Sequence, residues 1–252
     1  MKTIIIIASI FALCSICFAE ETEYYDWKGS KLYAAGNYSG ALEYFNTAVA
    51  QDQNYIDAWL HKAETQRALR SYNESLATYD IAISLAPNKA AGYTGKSSVY
   101  SLLKDYANAS KYMSEALRIE PANKGNLFTM GNYMQSLNRF GDSIVYYDNA
   151  TALDPSYKDA IYRKGVSLMV IGNLDGAISA YSSVLSLDPK YKQAYNAMGV
   201  ALEAEGRYEE AQAAYDKALE QDPAYPQAIS NKMQVLLALK KNEEAMSYFM
   251  KT

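Results

Sequence analysis

Five prolines divide the chain at a constant interval. Pro87, Pro121, Pro155, Pro189 and Pro223 follow one another with the same spacing each time, with no insertion or deletion between them. Proline has no N–H to donate and its ring clashes with the preceding turn, so we expect each of them to end a helix. An interval of about 34 residues that stays constant predicts that one structural unit is repeated along the chain.

The unit becomes visible when the sequence is aligned with itself at this spacing. A frame that begins at Thr22 gives six full units and a shortened seventh, which span residues 22–55, 56–89, 90–123, 124–157, 158–191, 192–225 and 226–252. We number the positions of each unit consecutively from its first residue. Positions 8, 20 and 27 carry mostly small residues and position 24 a large one, as Gly199, Ala211, Ala218 and Tyr215 illustrate. Their spacing predicts two amphipathic helices per unit that pack closely through the small residues.

Seven units in phase resemble the tetratricopeptide repeat, from Thr22 to the end of the sequence. The resemblance implies an all-α fold, an α-solenoid of about seven helix-turn-helix repeats that form a right-handed superhelix. It also implies a concave groove lined by the first helices, which binds a protein or an extended peptide. One departure concerns position 7, which is usually leucine in the family. Here it is lysine in five units, where we expect the stem to cover apolar surface while the ammonium stays in water: Lys28, Lys62, Lys96, Lys164 and Lys232.

The segment before the repeats, residues 1–19, has the features of a secretory signal peptide. Lys2 precedes an unbroken apolar run that ends at Ala19, and the acidic residues Glu20 and Glu21 follow. We predict cleavage after Ala19 and export, so that the protein is secreted, on the cell surface or in the periplasm. The alternative is an uncleaved membrane anchor with the repeats outside the cytoplasm, although the run is short for a span of about 20 residues.

Composition argues against several classes of function. The net charge is −4 and no cluster of Lys and Arg occurs, so nucleic acid is not a predicted partner. Both cysteines, Cys14 and Cys17, lie in the N-terminal segment, and His61 is the only histidine. The repeats therefore offer no thiol nucleophile and no set of His and Cys ligands for a metal. We predict a non-enzymatic protein without catalytic residues, metal or cofactor, in which His61 lies on the surface or in the groove.

Positions 2, 5, 9 and 12 of each first helix share one face, because they are three and four positions apart. This face is mostly polar and small in the first three repeats and becomes apolar and aromatic in the fourth and fifth. Apolar anchors with a few polar groups suit a peptide groove. An equally open interpretation is that Phe128 and Tyr162 only pack against adjacent first helices. The predicted groove residues are Phe128, Asn132, Tyr162, Arg163, Val166 and Met169.

Two further features bear on function. Candidate N-glycosylation sites begin at Asn37, Asn73, Asn108 and Asn149, although the first three also suit a turn or a helix cap. The last predicted helix carries Met246 and Phe249, so it is either an exposed end or a surface for docking and self-association. The second interpretation leads to an alternative function, a structural cell-envelope component that assembles through its open ends.

Overall fold

The structure is a computed structural model that describes residues 21–249, with side chains described to residue 246. The predicted signal peptide lies outside this range. All regular structure within it is helical, which confirms the all-α prediction. The helices are α1 (21–34), α2 (Tyr38–Gln51), α3 (Ile56–Ala68), α4 (Tyr72–Leu85), α5 (Ala90–Leu102), α6 (Tyr106–Ile119), α7 (Lys124–Ser136), α8 (Phe140–Leu153), α9 (Lys158–Val170), α10 (Leu174–Leu187), α11 (Lys192–Ala204), α12 (Tyr208–Gln221), α13 (Pro226–Ala238) and α14 (Asn242–Phe249).

These helices fall into two compact units, which divide between Pro121 and Ala122. Unit 1 contains α1 to α6 and unit 2 contains α7 to α14. Within each unit, the odd-numbered helices are the first helices of the repeats and the even-numbered helices are the second ones. Each first helix packs against the second helix of its own repeat, and consecutive first helices within a unit also touch.

A left-handed residue links the two helices of every repeat at position 15. In three repeats this residue is a glycine, as at Gly206, where φ is +76°. The following N–H, that of Arg207, donates to the carbonyl of Leu202 at 2.9 Å, the bond that closes a helix C-terminus of this type. The other four repeats hold Arg70, Lys104, Asn138 and Lys240 in the same conformation, with φ between 58° and 62°.

The two helices of a repeat meet where a position-24 ring lies on a position-8 residue. In unit 2 the rings of Tyr147 and Tyr181 are fully buried. A Cβ placed on Gly131 would lie 2.5 Å from the ring of Tyr147, and one on Gly165 would lie 2.6 Å from that of Tyr181. Glycine is therefore required at these contacts, which confirms that the paired helices approach through small residues.

Position 7 connects successive repeats through ion pairs. Lys164 Nζ lies 2.5 Å from Asp148 and Lys232 Nζ lies 2.6 Å from Asp216. Lys96 forms the equivalent pair with Asp80. In each pair the aspartate occupies position 25 of the preceding repeat, so the second helix of one repeat is tied to the first helix of the next.

One position-7 lysine does not behave as the sequence led us to expect. Only 5% of the Lys96 side chain is exposed, and its ammonium lies 4.4 Å from the centre of the Tyr112 ring. The expectation that the ammonium stays in water is therefore wrong for Lys96, because Asp80 and the ring replace the water. Where position 7 is Met198, position 25 of the preceding repeat is Ser182, whose Oγ donates to the methionine sulfur at 3.7 Å.

In repeats 4, 5 and 6, a lysine at position 1 forms an ion pair with an aspartate at position 31 of the same repeat. Lys124 contacts Asp154 at 2.6 Å, and Lys158 contacts Asp188 at 2.7 Å. The pair in repeat 6 joins Lys192 to Asp222. The lysines, assisted by backbone N–H groups just after each aspartate, lower the pKa of all three carboxyls, to about 2 at Asp154.

Candidate functional site

Positions 5, 9 and 12 of the first helices form a face that borders the buried position-24 rings. The ring centre of Phe128 lies 5.8 Å from that of Tyr147 and 5.1 Å from that of Tyr157. Tyr162 repeats this arrangement with Tyr181 at 5.7 Å, and with the tyrosine that precedes α11 at 5.5 Å. Both predicted groove aromatics are partly buried. Each ring is thus held by its own second helix and by the residue before the next first helix, and part of it remains accessible.

The other predicted groove residues lie on the neighbouring helices α7 and α9. Asn132 accepts a hydrogen bond from the Tyr147 hydroxyl at 2.8 Å, and Val166 and Met169 are partly buried. Arg163 is exposed, and its backbone carbonyl accepts from Gln135 Nε2 at 3.1 Å. The structure therefore places the predicted residues of repeats 4 and 5 on two helices that touch.

The hydroxyl of the position-24 tyrosine has a partner on this face in three repeats. Tyr147 donates to Asn132 at position 9, and Tyr215 donates to Glu203 at position 12, at 2.9 Å. In unit 1, Tyr79 donates to Glu64 at position 9, at 3.1 Å. Positions 9 and 12 therefore supply the acceptor that the buried ring needs.

Tyr181 in repeat 5 departs from this pattern. Its hydroxyl is buried and has no hydrogen-bond partner among the described residues. The residues at positions 9 and 12 of this repeat are Val166 and Met169, neither of which carries an oxygen or nitrogen acceptor. Burial raises the pKa of the Tyr181 phenol, so the hydroxyl keeps its proton and remains a donor. The sequence patterns considered above did not point to this group, although a comparison of position 24 with positions 9 and 12 would have found it.

Whereas the Tyr181 hydroxyl lacks a partner within the described range, the Glu64 carboxylate in repeat 2 has several. Its carboxylate accepts from the hydroxyls of Tyr33 and Tyr79 and from two nitrogens of Arg67. Burial opposes ionisation, but the guanidinium and the two phenols outweigh it and hold the pKa of Glu64 below its usual value. A carboxylate has about four acceptor positions, so Glu64 is saturated.

His61 lies beside this group, at the edge of a pocket of about 270 Å³ that is lined by Ser30, Tyr33, Phe45, His61 and Glu64. Its Nδ1 is 2.7 Å from Oδ1 of Asp26, a buried residue on α1. The side chain of His61 is 46% exposed, as expected for a surface or groove residue. The hydrogen bond to Asp26 raises the pKa of His61, against the partial desolvation of its ring. The pocket was not predicted as a site, because its residues come from two repeats and none belongs to a recognisable motif.

The candidate glycosylation sites lie on helices or at their starts. Asn37 caps α2 by accepting the N–H of Gly40 at 3.0 Å, as its alternative interpretation predicts. Asn108 does not cap α6. Asp105 does so, because it accepts the backbone N–H of Asn108 at 3.0 Å and its side-chain amide at 2.7 Å. Asn73 and Asn149 are exposed, on α4 and α8. Glycosylation at all four remains a prediction.

Metal-binding clusters and membrane-spanning helices are both absent from the described residues. No group of three or more His, Cys, Asp or Glu side chains among them is arranged to hold a metal ion. None of the helices between residues 21 and 249 is long and apolar enough to cross a membrane.

Family models agree with the repeat pattern along most of the chain. Models described as tetratricopeptide repeat match residues 32–97, 90–123, 128–192, 180–213 and 202–251. A curated relative, an uncharacterized protein of Methanocaldococcus jannaschii, is 42% identical over 53 residues, which are 21% of this chain. This chain spans 62% of the length of that relative.

Solved structures show the same architecture. YrrB, described as a TPR protein with an unusual peptide-binding site, is 25% identical with a TM-score of 0.68, over 75% of this chain and 97% of its own. A tetratricopeptide repeat protein from Parabacteroides merdae is 17% identical with a TM-score of 0.68, over 92% of both chains. PilW, a type IV pilus biogenesis factor, is 20% identical with a TM-score of 0.64, over 78% of this chain and 91% of its own. The helix pairs, their constant period and the family models together show that this chain belongs to the tetratricopeptide repeat family.

Proposed function

We propose that this protein is a non-enzymatic scaffold that binds an extended peptide segment of a partner protein on the first-helix face of repeats 4 and 5. The observation that carries the proposal is the unpartnered hydroxyl of Tyr181 within the described part of the chain. A buried donor without an acceptor costs about 1–3 kcal/mol, so it needs an explanation. A peptide carbonyl bound between Val166 and Met169 supplies the missing acceptor.

The surroundings of Tyr181 suit such a segment. Met169 is flexible and polarizable, so its side chain can move aside to expose the hydroxyl. Tyr162 and Val166, which pack against the cluster that contains Tyr181, and Phe128 on α7 offer partly accessible apolar surface. Asn132 and Arg163 add polar groups on the same two helices. Apolar anchors that fix side chains and polar groups that fix the main chain are the usual elements of peptide recognition. The peptide-binding site attributed to YrrB supports the same class of ligand.

Binding can be tested with peptides selected on the wild-type protein from a displayed random library. Phe128→Ala and Tyr162→Ala should each weaken binding by at least about 1 kcal/mol, roughly fivefold in Kd by fluorescence anisotropy. Tyr146→Ala, on the second helix α8, is the matched control and should leave Kd unchanged. Unchanged Kd for both groove variants, with wild-type helicity, would exclude repeats 4 and 5 as the site.

Export is part of the proposal and rests on the sequence of residues 1–19. The mature chain should begin at Glu20, in a secreted, surface or periplasmic protein. The intact mass of protein from its native host tests this, and it also reveals any glycan on Asn37, Asn73, Asn108 or Asn149. A chain that keeps residues 1–19 in a membrane fraction would support the anchored alternative.

A second candidate function, a structural envelope component, is favoured by the exposed apolar side chains near the end of the described residues. Leu237 on α13 is 56% exposed and Met246 on α14 is 65% exposed. Such side chains can mediate self-association through the C-terminal helix. Sedimentation over a wide concentration range separates the two functions. A single monomeric species favours the scaffold, and oligomers that grow with concentration favour the structural component.

A further inference from the structure

The pocket beside His61 in unit 1 has the properties of a ligand site that is separate from repeats 4 and 5. Phe45 lines it and is only 1% exposed, so the pocket reaches the core. The ring centres of Phe45 and His61 are 5.4 Å apart. An apolar floor and an imidazole are therefore presented to the same space, beside the hydroxyl of Ser30.

Two of the polar groups that line this pocket are uncommitted. The Glu64 carboxylate is saturated by Tyr33, Tyr79 and Arg67, and the Tyr33 hydroxyl is used in that contact. By contrast, neither the Ser30 hydroxyl nor Nε2 of His61 has a hydrogen-bond partner in the described part of the chain. Asp26 fixes the orientation of the imidazole through Nδ1, which leaves Nε2 directed away from that contact.

We propose that this pocket binds a neutral carbonyl group that carries a small apolar side chain, with the oxygen accepting from His61 Nε2 and Ser30 and the side chain on Phe45. A residue of an extended peptide and a free small amide share this chemistry. The inference extends peptide binding to unit 1, and it stands or falls independently of the site around Tyr181.

The charges around the pocket select a neutral ligand over an anion. Asp26 pairs with His61, Asp57 with Lys89, and Glu64 with Arg67. The charges of these pairs sum to zero when His61 is protonated. Among the carboxylates, Glu64 lines the space and Asp26 contacts His61. A carboxylate ligand would face them without a spare cation, whereas a carbonyl oxygen only needs the two donors.

Protonation of His61 controls one of these donors. In the neutral ring, Nδ1–H donates to Asp26 and Nε2 is an acceptor, so it repels a carbonyl oxygen. In the charged ring, Nε2–H is a donor. Asp26 and Asp57 favour the charged form, while partial desolvation and Lys89 oppose it, and the result is a raised pKa of His61. Binding should therefore strengthen as pH falls through the pKa of His61.

The experiment uses the fact that His61 is the only histidine, so its imidazole can be followed by proton NMR without overlap from a second one. The probe is N-acetyl-leucine methylamide. The anionic control is N-acetyl-leucine, which carries a carboxylate in place of the methylamide. The amide should shift the imidazole signal and raise the apparent pKa of His61. By linkage, it should bind about fivefold more weakly at a pH above the pKa that the same titration finds than at a pH below it. The carboxylate should bind more weakly than the amide at either pH.

Variants show whether the response comes from this pocket. Ser30→Ala should weaken amide binding about threefold, in line with the loss of one hydrogen bond. Ser98→Ala, at the same position of repeat 3, should not. Phe128→Ala should leave the His61 response intact, so failure of the site in repeats 4 and 5 would not affect this result. The proposal is overturned if saturating amide leaves the histidine signal and its pKa unchanged, or if the carboxylate binds more tightly.

Discussion

Repeats 2 and 5 both bury a tyrosine at position 24, but they treat its hydroxyl differently. Tyr79 and Tyr181 both occupy position 24, and both rings are almost completely buried. The hydroxyl of Tyr79 donates to Glu64, a carboxylate that accepts three other hydrogen bonds, whereas that of Tyr181 has no partner within the described residues. The position of the ring is the same in both repeats, but whether its hydroxyl finds an acceptor depends on the residues at positions 9 and 12. Core packing and the ligand face are therefore coupled through a phenol in each of these repeats.

This difference suggests two roles for the same position. In repeat 2, position 9 of the first-helix face is used for stability, because Glu64 collects donors from two repeats. In repeat 5 that face is apolar and leaves a donor unmatched, which we infer is retained for binding, since functional sites often violate the packing rules that the rest of the fold obeys.

The largest effect should come from removing the saturated acceptor of repeat 2. Glu64→Ala leaves Arg67 and two phenols without their acceptor, and should cost about 2–4 kcal/mol of unfolding free energy in urea. Glu64→Gln keeps one acceptor and should cost less. A loss below about 0.5 kcal/mol for the alanine variant would show that water replaces the carboxylate at no penalty.

Smaller changes in stability are expected when either of two tyrosine hydroxyls of unit 2 is removed, and the two changes should have opposite signs. Tyr181→Phe deletes an unmatched donor and should raise stability by about 1 kcal/mol, while Tyr147→Phe deletes a matched one and should lower it by about 1 kcal/mol. Thermal unfolding measures both. With the library-selected peptides, Tyr181→Phe should also weaken binding, so that stability and affinity change in opposite directions. Changes of the same sign in the two melting temperatures would remove the distinction between the two repeats.

Giving repeat 5 the acceptor that repeat 4 has should remove the difference between the two tyrosines. Val166→Asn copies Asn132 and should stabilise the fold by about 0.5–1 kcal/mol through a bond to Tyr181. Val200→Asn is the control, because Tyr215 in that repeat already donates to Glu203. An equal gain in both variants would mean that asparagine acts through the helix itself and not through the tyrosine.

The smallest effect is the pH dependence that the ion pairs between positions 1 and 31 contribute in unit 2. The pKa of Asp154, Asp188 and Asp222 is lowered in the folded state, to about 2 at Asp154. Their contribution to stability is therefore complete above about pH 4, the unfolded value, and is lost as pH falls through the folded pKa of each carboxyl. Unit 1 has no lysine at position 1 of its repeats.

Replacing Lys124, Lys158 and Lys192 with methionine tests that contribution. The triple variant should lose less stability than the wild type between pH 4 and pH 2, as measured by the urea midpoint at each pH. Parallel curves for the two proteins would show that the pairs are too solvated to matter, as is common for exposed ion pairs.

Much of the fold was predictable because the same packing positions recur in every repeat of the sequence. Gly131 and Gly165 were expected at helix contacts, and they lie there against Tyr147 and Tyr181. The unmatched hydroxyl of Tyr181 was harder to foresee. It depends on how close the hydroxyl at position 24 of the second helix lies to the side chains at positions 9 and 12 of the first helix. The pocket at His61 was missed for a related reason: Asp26 and Glu64 are far apart in sequence, and only packing brings them to the same space. A helix cap was the alternative interpretation for Asn108, but Asp105 fills that role, since both residue types suit a helix start.

The position-7 contacts affect how such an array could gain or lose repeats. Asp148 meets Lys164, Ser182 meets Met198, and Asp216 meets Lys232, so ionic and thioether junctions alternate in unit 2. Deleting residues 158–191 would set Asp148 against Met198, a mismatch. Deleting residues 158–225 would set Asp148 against Lys232 and restore a matched junction. We therefore expect duplication and loss of repeats in this part of the chain to be tolerated in twos, with a pair of repeats as the heritable module and the single repeat as only its structural half.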